Sequence, residues 1–299
     1  MQLKKKQHYV WREYLRNWSN KELINCFIKS QNKVITPNIV NTSQENYFYK
    51  IPEYNNDEIL EIIDIAKDHS NAKLFPHILK IIYGLFQISE LSNVFKEDNE
   101  NLHIVEALKT NSIEDLLTQI EDLGKNFIKI DSSKEFLELI SDEELYSQLL
   151  IFIGFQYVRT NKMKSLLTEA MGKNKLYKKK YWLIIQIIYG FEISFKLSIN
   201  RNVTIKILEN KSVIDLITSD QPVFNLLSKD KDEKGYVKGL ELYYPLNKKL
   251  AIIICYGKKG NFPVKNLSED EVVILNKEMF NNSYDYVYFN NEQDIRNFR

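Results

Sequence analysis

Cysteine, glycine and proline are all scarce in this sequence. Only 2 of the 299 residues are cysteine. Both Cys26 and Cys255 lie in apolar segments, so we expect two buried small hydrophobic residues in a protein of the reducing cytosol. The 9 glycines and 6 prolines form no linker rich in either residue. We therefore expect residues 1–299 to form a single integrated domain, with a core that needs no disulfide or metal ion.

A charge excess and a long hydrophobic run are also missing. The 41 Lys+Arg and 40 Asp+Glu give a formal net charge of +1, so a nucleic acid would have to bind through a local basic patch. The most apolar stretch, residues 181–195, contains Gln186 and Glu192 and is shorter than the roughly 20 apolar residues that span a bilayer. We expect a buried helix there, no N-terminal export signal, and a cytoplasmic protein with no membrane contact.

The spacing of apolar residues predicts helices in the middle of the chain. Between about residues 57 and 198, apolar residues recur at helical intervals broken by short polar segments. Polar residues that commonly cap helices precede several of these stripes, at Asn56, Asn71, Asn111 and Asp142. The pattern predicts a body of about six helices. Two of them contain the same Ile-Ile-Tyr-Gly segment, and its glycines, Gly84 and Gly190, are expected at close helix contacts.

Shorter, β-rich apolar runs flank this region on both sides. Residues 203–289 contain several such runs and a helix at 266–282. Near the N-terminus, residues 23–29 and 46–51 are predicted to form a small hairpin. The predicted fold class is therefore α+β: a helical body carries a small, mainly antiparallel C-terminal sheet, which the N-terminal strands can join.

Motifs of several common enzyme classes are missing. No GxxxxGK[ST], GxGxxG, GxSxG or HExxH segment occurs, so P-loop, dinucleotide-binding, nucleophile-elbow and zincin chemistry lose their usual supports. The histidines, at positions 8, 69, 77 and 103, have neither metal-ligand spacing nor cysteine neighbours. We predict no metal site and no cofactor.

Residues 7–19 combine an imidazole, two guanidinium groups and several large aromatic rings. Imidazole titrates near neutral pH, and guanidinium matches phosphate or carboxylate in a bidentate manner. His8 is therefore a candidate catalytic acid or base, with Arg12 and Tyr9 as candidate substrate-binding residues. In the structural alternative, the rings staple this segment onto the helical body.

The helix that is predicted to begin near Asp142 turns polar at its C-terminal end. Gln156, Arg159 and Thr160 continue its apolar stripe at helical spacing. A buried guanidinium needs a partner, so this face should meet a carboxylate, backbone carbonyls or a bound anion. All three residues are candidates for substrate binding, and a purely structural buried network is the alternative.

Ser219 and Asp220 follow a predicted strand and precede Pro222, which places them at a strand edge or turn. Asp220 is a candidate catalytic carboxylate, and Ser219 a candidate for substrate binding. An aspartate in this context also commonly closes a turn. We predict that Arg159 contacts Asp220 or His8, and Asp220 is the preferred partner.

Taken in order, these segments resemble a known family. The His-Tyr-Val segment at residues 8–10 and the Tyr-Leu-Arg segment at 14–16 are similar to the start of the bacterial family of unknown function numbered 4238, whose members open with His-Tyr-Val-Pro. The resemblance continues at residues 156–160, 218–223, 244–246 and 275–276. Trp11 departs from the family, which has proline at that position. The resemblance implies a bacterial or phage context, and hence a role in defence or toxicity.

These observations lead to two hypotheses of different classes. The first is a hydrolase acting on a phosphate-containing substrate, in its sharpest form a metal-independent nuclease acting on RNA or another nucleic acid. The second is a non-catalytic defence sensor, inhibitor or interaction protein that binds a protein partner and uses the same His, Arg and Asp residues as a structural network. An open cleft lined by His8, Arg159 and Asp220 would favour the enzyme, and three sealed side chains would favour the alternative.

Overall fold

The computed structural model describes residues 2–95, 99–173, 178–199, 203–233, 235, 237–257 and 260–296. The architecture is mixed α+β, which confirms the predicted fold class at that level. A helical body occupies the middle of the chain, and strands come from both ends. The helices and sheets are more numerous than the sequence suggested.

The described residues form nine α-helices, and seven of them, instead of about six, make up the helical body. They are α1 (Arg12–Leu15), α2 (Asn56–His69), α3 (Phe75–Val94), α4 (Asn99–Gly124), α5 (Ser133–Ser141), α6 (Glu143–Val158), α7 (Asn161–Lys173), α8 (Trp182–Ile199) and α9 (Glu269–Asn282). Asp142 caps α6 as predicted, accepting hydrogen bonds from two backbone N–H groups at 2.9 Å. The helix start predicted at Asn111 is wrong, because α4 continues through this residue and its side chain accepts a bond from the Lys4 backbone N–H (2.9 Å) instead.

The strands form three sheets within the described residues, not one C-terminal sheet. They are β1 (Lys6–His8), β2 (Ser19–Asn20), β3 (Leu23–Ile28), β4 (Lys33–Ile35), β5 (Gln44–Asn46), β6 (Val203–Asn210), β7 (Thr218–Ser219), β8 (Phe224–Asn225), β9 (Glu241–Pro245), β10 (Leu250–Tyr256), β11 (Val264–Leu267) and β12 (Tyr286–Phe289). One sheet has the order β11-β6-β10-β9-β8, with only β11 and β6 parallel. The second has the order β2-β3-β12-β7, with β4 on β3, and the third is the pair β1-β5.

N-terminal strands do join C-terminal ones, but the predicted N-terminal hairpin is wrong. Strand β3 pairs with β2, β4 and β12, whereas β5 pairs with β1. Strands β2 and β4 flank β3 directly in sequence, whereas its pairing with β12 depends on long-range packing, which local apolar alternation does not specify. The β3–β12 pair connects the two ends of the chain, which agrees with a single domain; that domain organisation stays a prediction.

The strands of both larger sheets are apolar on two faces because each face covers a separate core. Along β10, alternate residues contribute to a core shared with the helical body and to a second core closed by α9. The two sets are Leu250, Ile252 and Ile254, and Ala251, Ile253 and Cys255. Cys26 and Cys255 are both buried and free, as expected.

The most apolar segment of the chain forms the greater part of α8. Lys179–Ile199 is long and apolar enough to cross a membrane. Its 18-residue apolar window has a mean hydropathy of 1.4, yet 56% of this window is buried inside the protein. Its polar side chains are also engaged: Gln186 donates to the Val158 carbonyl, and Glu192 accepts from the Asn71 N–H (2.6 Å). These contacts confirm the predicted buried helix.

Helices α6 and α8 approach closely where both carry glycine. A Cβ atom on Gly190 would lie 2.7 Å from a ring carbon of buried Phe155, and one on Gly154 would lie 3.0 Å from the Ser194 backbone nitrogen. Gly84, in the matching Ile-Ile-Tyr-Gly segment of α3, has nothing within 4 Å of such a Cβ. The expected glycine-mediated contact therefore holds for Gly190 and is wrong for Gly84.

This difference predicts opposite effects of the same substitution. Gly190→Ala should lower the free energy of unfolding by about 1–3 kcal/mol, because the Phe155 ring is buried and cannot move freely aside. Gly84→Ala should leave stability unchanged or raise it by up to about 1 kcal/mol, because alanine restricts the unfolded chain. Urea unfolding of both variants checks this, and equal effects would contradict the proposed helix contact.

Candidate functional site

Aromatic residues dock the N-terminal segment onto the C-terminal sheet. Tyr14 stacks on Tyr244, with ring centroids 4.9 Å apart, and its hydroxyl donates to the Pro245 carbonyl (2.9 Å). Trp18 donates its ring N–H to the Leu216 carbonyl (2.7 Å). Of these rings, Trp11 packs edge-on against Phe152 of α6 in the helical body, with ring centroids 5.7 Å apart. Tyr14 and Trp18 instead attach the segment to the C-terminal part of the chain, so stapling onto the helical body is only part of what the structure shows.

Strand β1 fixes His8 through its neighbour Gln7. The buried Gln7 side chain donates to the Thr110 carbonyl and accepts from the Tyr49 N–H, both at 2.6 Å. His8 is half-buried, and its Nε2 lies 3.2 Å from the Val40 carbonyl. Because a carbonyl can only accept, Nε2 carries the hydrogen and Nδ1 keeps its lone pair.

Arg159, which follows the last residue of α6, is sealed beneath this strand with 1% of its surface exposed. Its guanidinium donates to Glu121 Oε1 (2.5 Å), to the His8 carbonyl (2.7 Å) and, at 3.4 Å, to the Tyr49 hydroxyl. Burial lowers the pKa of Arg159, but Glu121 and Tyr49 outweigh burial and hold it above its usual value. The predicted contact with His8 is confirmed through the backbone, whereas the preferred partner, Asp220, is wrong.

A cleft of about 370 Å³ opens at His8 and Glu121. Its walls are the start of α1, the last turns of α4 and the loop that follows α4. The lining includes His8, Arg12, Glu114, Glu121, Lys125 and Lys129. Lys125 pairs with Asp122 (2.5 Å), but within the described ranges Arg12 and Lys129 form no ion pair. Two cations are therefore available to an anion that enters the cleft.

Four groups in this lining have shifted pKa values: His8, Glu114, Glu121 and Lys125. Burial raises the pKa of Glu121, against the opposing charge of Arg159, and Asp122 raises that of Lys125. Burial lowers the pKa of His8 to about 4, and the charges of Arg12 and Arg159 add to the effect. Burial raises the pKa of Glu114 to about 7, against the opposing charge of Arg159. Glu114 Oε2 is buried without a hydrogen-bond partner in the described part of the chain. Near neutral pH the cleft thus holds a neutral imidazole and a carboxyl that keeps a proton in much of the population.

Asp220 does not line this cleft. Its carboxylate is 1% exposed and accepts the backbone N–H groups of Tyr284, Asp285 and Tyr286 at 2.7, 2.7 and 2.9 Å. Burial raises the pKa of Asp220 to about 6, although these three bonds pull in the opposite direction. The carboxylate therefore holds the turn that leads into β12, and a catalytic role of Asp220 stays a prediction.

The other polar candidates are buried, and Gln221 links two of them, Thr160 and Ser219. Thr160 donates to the Gln221 side chain, whose nitrogen donates to two backbone carbonyls at 2.6 and 3.0 Å. Ser219 donates to Met279 Sδ (3.1 Å), and Gln156 is buried with no partner for its side-chain nitrogen among the described residues. This network joins the end of α6 to strand β7.

The predicted site residues thus separate into two groups. His8 and Arg12 line the cleft, whereas the remainder are buried: Tyr9, Gln156, Arg159, Thr160, Ser219 and Asp220. A role of the buried group in substrate binding stays a prediction. The sequence reading missed Glu114 and Glu121. Their signal was a seven-residue spacing beside an apolar stripe, which occurs on many ordinary amphipathic helices.

Fold and site together define a mixed α+β protein with a polar cleft above a buried arginine network. The profile of the family described as "Protein of unknown function (DUF4238)" matches residues 6–293, and the chain belongs to this family. The resemblance noted in the sequence is thereby confirmed. Comparison with curated proteins and with solved structures gives no match. Function must therefore be argued from the site itself.

The position of Asp220 predicts a structural effect of its substitution. In Asp220→Asn, an amide NH₂ replaces an oxygen that accepts backbone N–H bonds, so the variant should lose about 1–3 kcal/mol of unfolding free energy at pH 8. The exposed Asp230, which pairs with Lys238 (3.1 Å), supplies the control Asp230→Asn, which should change stability by less than about 0.5 kcal/mol. Denaturant titration measures both. An Asp220 variant of unchanged stability would contradict the assigned role.

Proposed function

We propose that this protein is a hydrolase that cleaves a phosphate-containing substrate in the cleft, and that this substrate is RNA. The observation that supports the proposal most is that one cleft holds a neutral imidazole, His8, and a proton-holding carboxyl, Glu114, beside two cations that form no ion pair among the described residues. Such opposed protonation states within one site are what general acid–base chemistry requires.

The chemistry assigns a role to each of these side chains. His8 Nδ1 takes the proton of the attacking hydroxyl, and Glu114 gives its proton to the leaving oxygen. Arg12 and Lys129 bind the phosphate and stabilise the charge that develops on it. A bound phosphate also offsets the charge of Arg12, which removes one of the effects that lower the pKa of His8.

RNA is favoured over DNA for a chemical reason. The ribose 2′-hydroxyl lies beside the phosphate and can attack it directly, so RNA cleavage needs only a base, an acid and an anion clamp. Among the described residues, no group of three or more His, Cys, Asp or Glu is placed to hold a metal ion. The proposed cleavage needs no metal ion, and an assay in the presence of EDTA tests this.

Purified protein should degrade total RNA in the presence of EDTA and leave DNA intact. His8→Ala and Glu114→Gln should each reduce cleavage by roughly 10²–10⁴-fold, because each removes one proton-transfer group. Lys277 is exposed on α9, so Lys277→Ala should cleave at the wild-type rate. Expression in bacteria provides a second readout, in which wild-type protein is toxic and His8→Ala is not. Cleavage by wild type and His8→Ala at equal rates would overturn the proposal.

The expected pH dependence of activity follows from the shifted pKa values of His8 and Glu114. Activity needs His8 neutral and Glu114 protonated, so kcat/KM should rise as pH increases through about 4 and fall as it increases through about 7. Glu114→Gln should lose the fall near pH 7, because glutamine does not titrate. A profile measured with a short RNA oligonucleotide tests this. A flat profile across this range would contradict the assignment of acid and base.

The buried network supports a second candidate, a non-catalytic sensor, inhibitor or other interaction protein. Arg159 and Asp220 are both sealed and fully engaged in structural contacts. In this case, the cleft would bind an anionic group of a protein partner without cleaving anything. Absence of RNA cleavage by wild type, with toxicity retained in His8→Ala, would favour this candidate.

A further inference from the structure

Two glutamates of α4 line the same cleft, but they have different partners. Glu114 and Glu121 are two helical turns apart and therefore on one face. Glu121 pairs with the guanidinium of Arg159 at 2.5 Å, whereas Glu114 Oε2 is buried without a hydrogen-bond partner in the described residues. Glu121 is thus the carboxyl of the ion pair, whereas Glu114 forms no ion pair among the described residues.

Several neighbouring groups affect the protonation of Glu114. Arg159 and Lys4 favour its ionised form, as does the His8 backbone N–H, while Glu121 opposes ionisation. Arg159 is only 1% exposed, so water does not screen its charge effectively. Burial has the largest effect on the pKa of Glu114 and raises it; among the charges, Arg159 and Glu121 have the largest effects, and they act in opposite directions.

Building on the proposed function, we propose that Glu121 is a positioning residue, whose carboxylate neutralises Arg159 and thereby leaves Glu114 protonated as the proton donor of the cleft. Glu121 itself is committed to Arg159 and transfers no proton. Arg159 likewise binds no substrate, because its contacts with Glu121, His8 and Tyr49 occupy it.

Substitution of either partner in the Glu121–Arg159 ion pair should shift the pKa of Glu114, and the two shifts should be opposite in sign. Glu121→Gln leaves the charge of Arg159 uncompensated, so the pKa of Glu114 should fall by about one pH unit or more. Arg159→Met removes the attracting charge, so the pKa of Glu114 should rise instead. A merely structural role for the pair predicts something different: either substitution would loosen the site, hydrate Glu114 and lower its pKa.

The test is an NMR titration of protein labelled with ¹³C at the glutamate carboxyl groups, with the Glu114 signal assigned by its loss in Glu114→Gln. Asp230→Asn is the control, because Asp230 is exposed, pairs with Lys238 (3.1 Å) and does not line the cleft. This control should leave the Glu114 midpoint unchanged. Opposite shifts in Glu121→Gln and Arg159→Met support the proposal, and shifts of the same sign, or none, overturn it.

Each single variant leaves a buried charge without its partner, which can prevent folding. The double variant Glu121→Gln/Arg159→Met removes both charges together. Its Glu114 midpoint should stay close to the wild-type value, and a fall to that of an ordinary glutamate would overturn the proposal. The titration does not depend on activity, so failure of wild type to cleave RNA would reject the proposed function without deciding the role of Glu121.

Discussion

A guanidinium cannot lose its charge at any ordinary pH, and in this protein Arg159 carries that charge into the interior. Its burial is tolerable only because several elements meet around it. Glu121 comes from α4, the His8 carbonyl from β1 and the Tyr49 hydroxyl from the segment after β5. The contact to the His8 carbonyl also places the imidazole at the cleft. The cleft therefore depends on how one buried cation is satisfied.

The segments that mark the family meet around this cation and around the sheet next to it. Tyr14 of the N-terminal segment bonds to Thr218 (2.6 Å) and to the carbonyl of Pro245, while Thr160 bonds to Gln221. Contacts between residues more than 200 positions apart hold the two ends of the chain together. Most of the side chains of these family segments are therefore engaged in structural contacts. The polar side chains that the proposed function uses lie in the cleft lining.

Within the cleft, burial shifts the pKa values of two groups in opposite directions. Desolvation disfavours the charged form of any side chain, so it lowers the pKa of His8 and raises that of Glu114. One physical effect therefore yields both a neutral imidazole and a protonated carboxyl. Arg12 and Lys129, which form no ion pair within the described part of the chain, add two positive charges to the same lining.

Local sequence determined the α+β class, the buried helix α8, the cap of α6 at Asp142 and the apolar strand β10, because periodicity and capping act over a few residues. It also showed that Arg159 needed a partner, since a charge on an apolar stripe cannot stay unpaired. Only the tertiary structure decided that this partner is Glu121 and not Asp220, that β3 pairs with β12, and that Glu114 and His8 line one cleft. Each of these contacts joins residues that are far apart in the chain. The packing of whole helices and strands brings them together, and the local spacing of residues does not encode it.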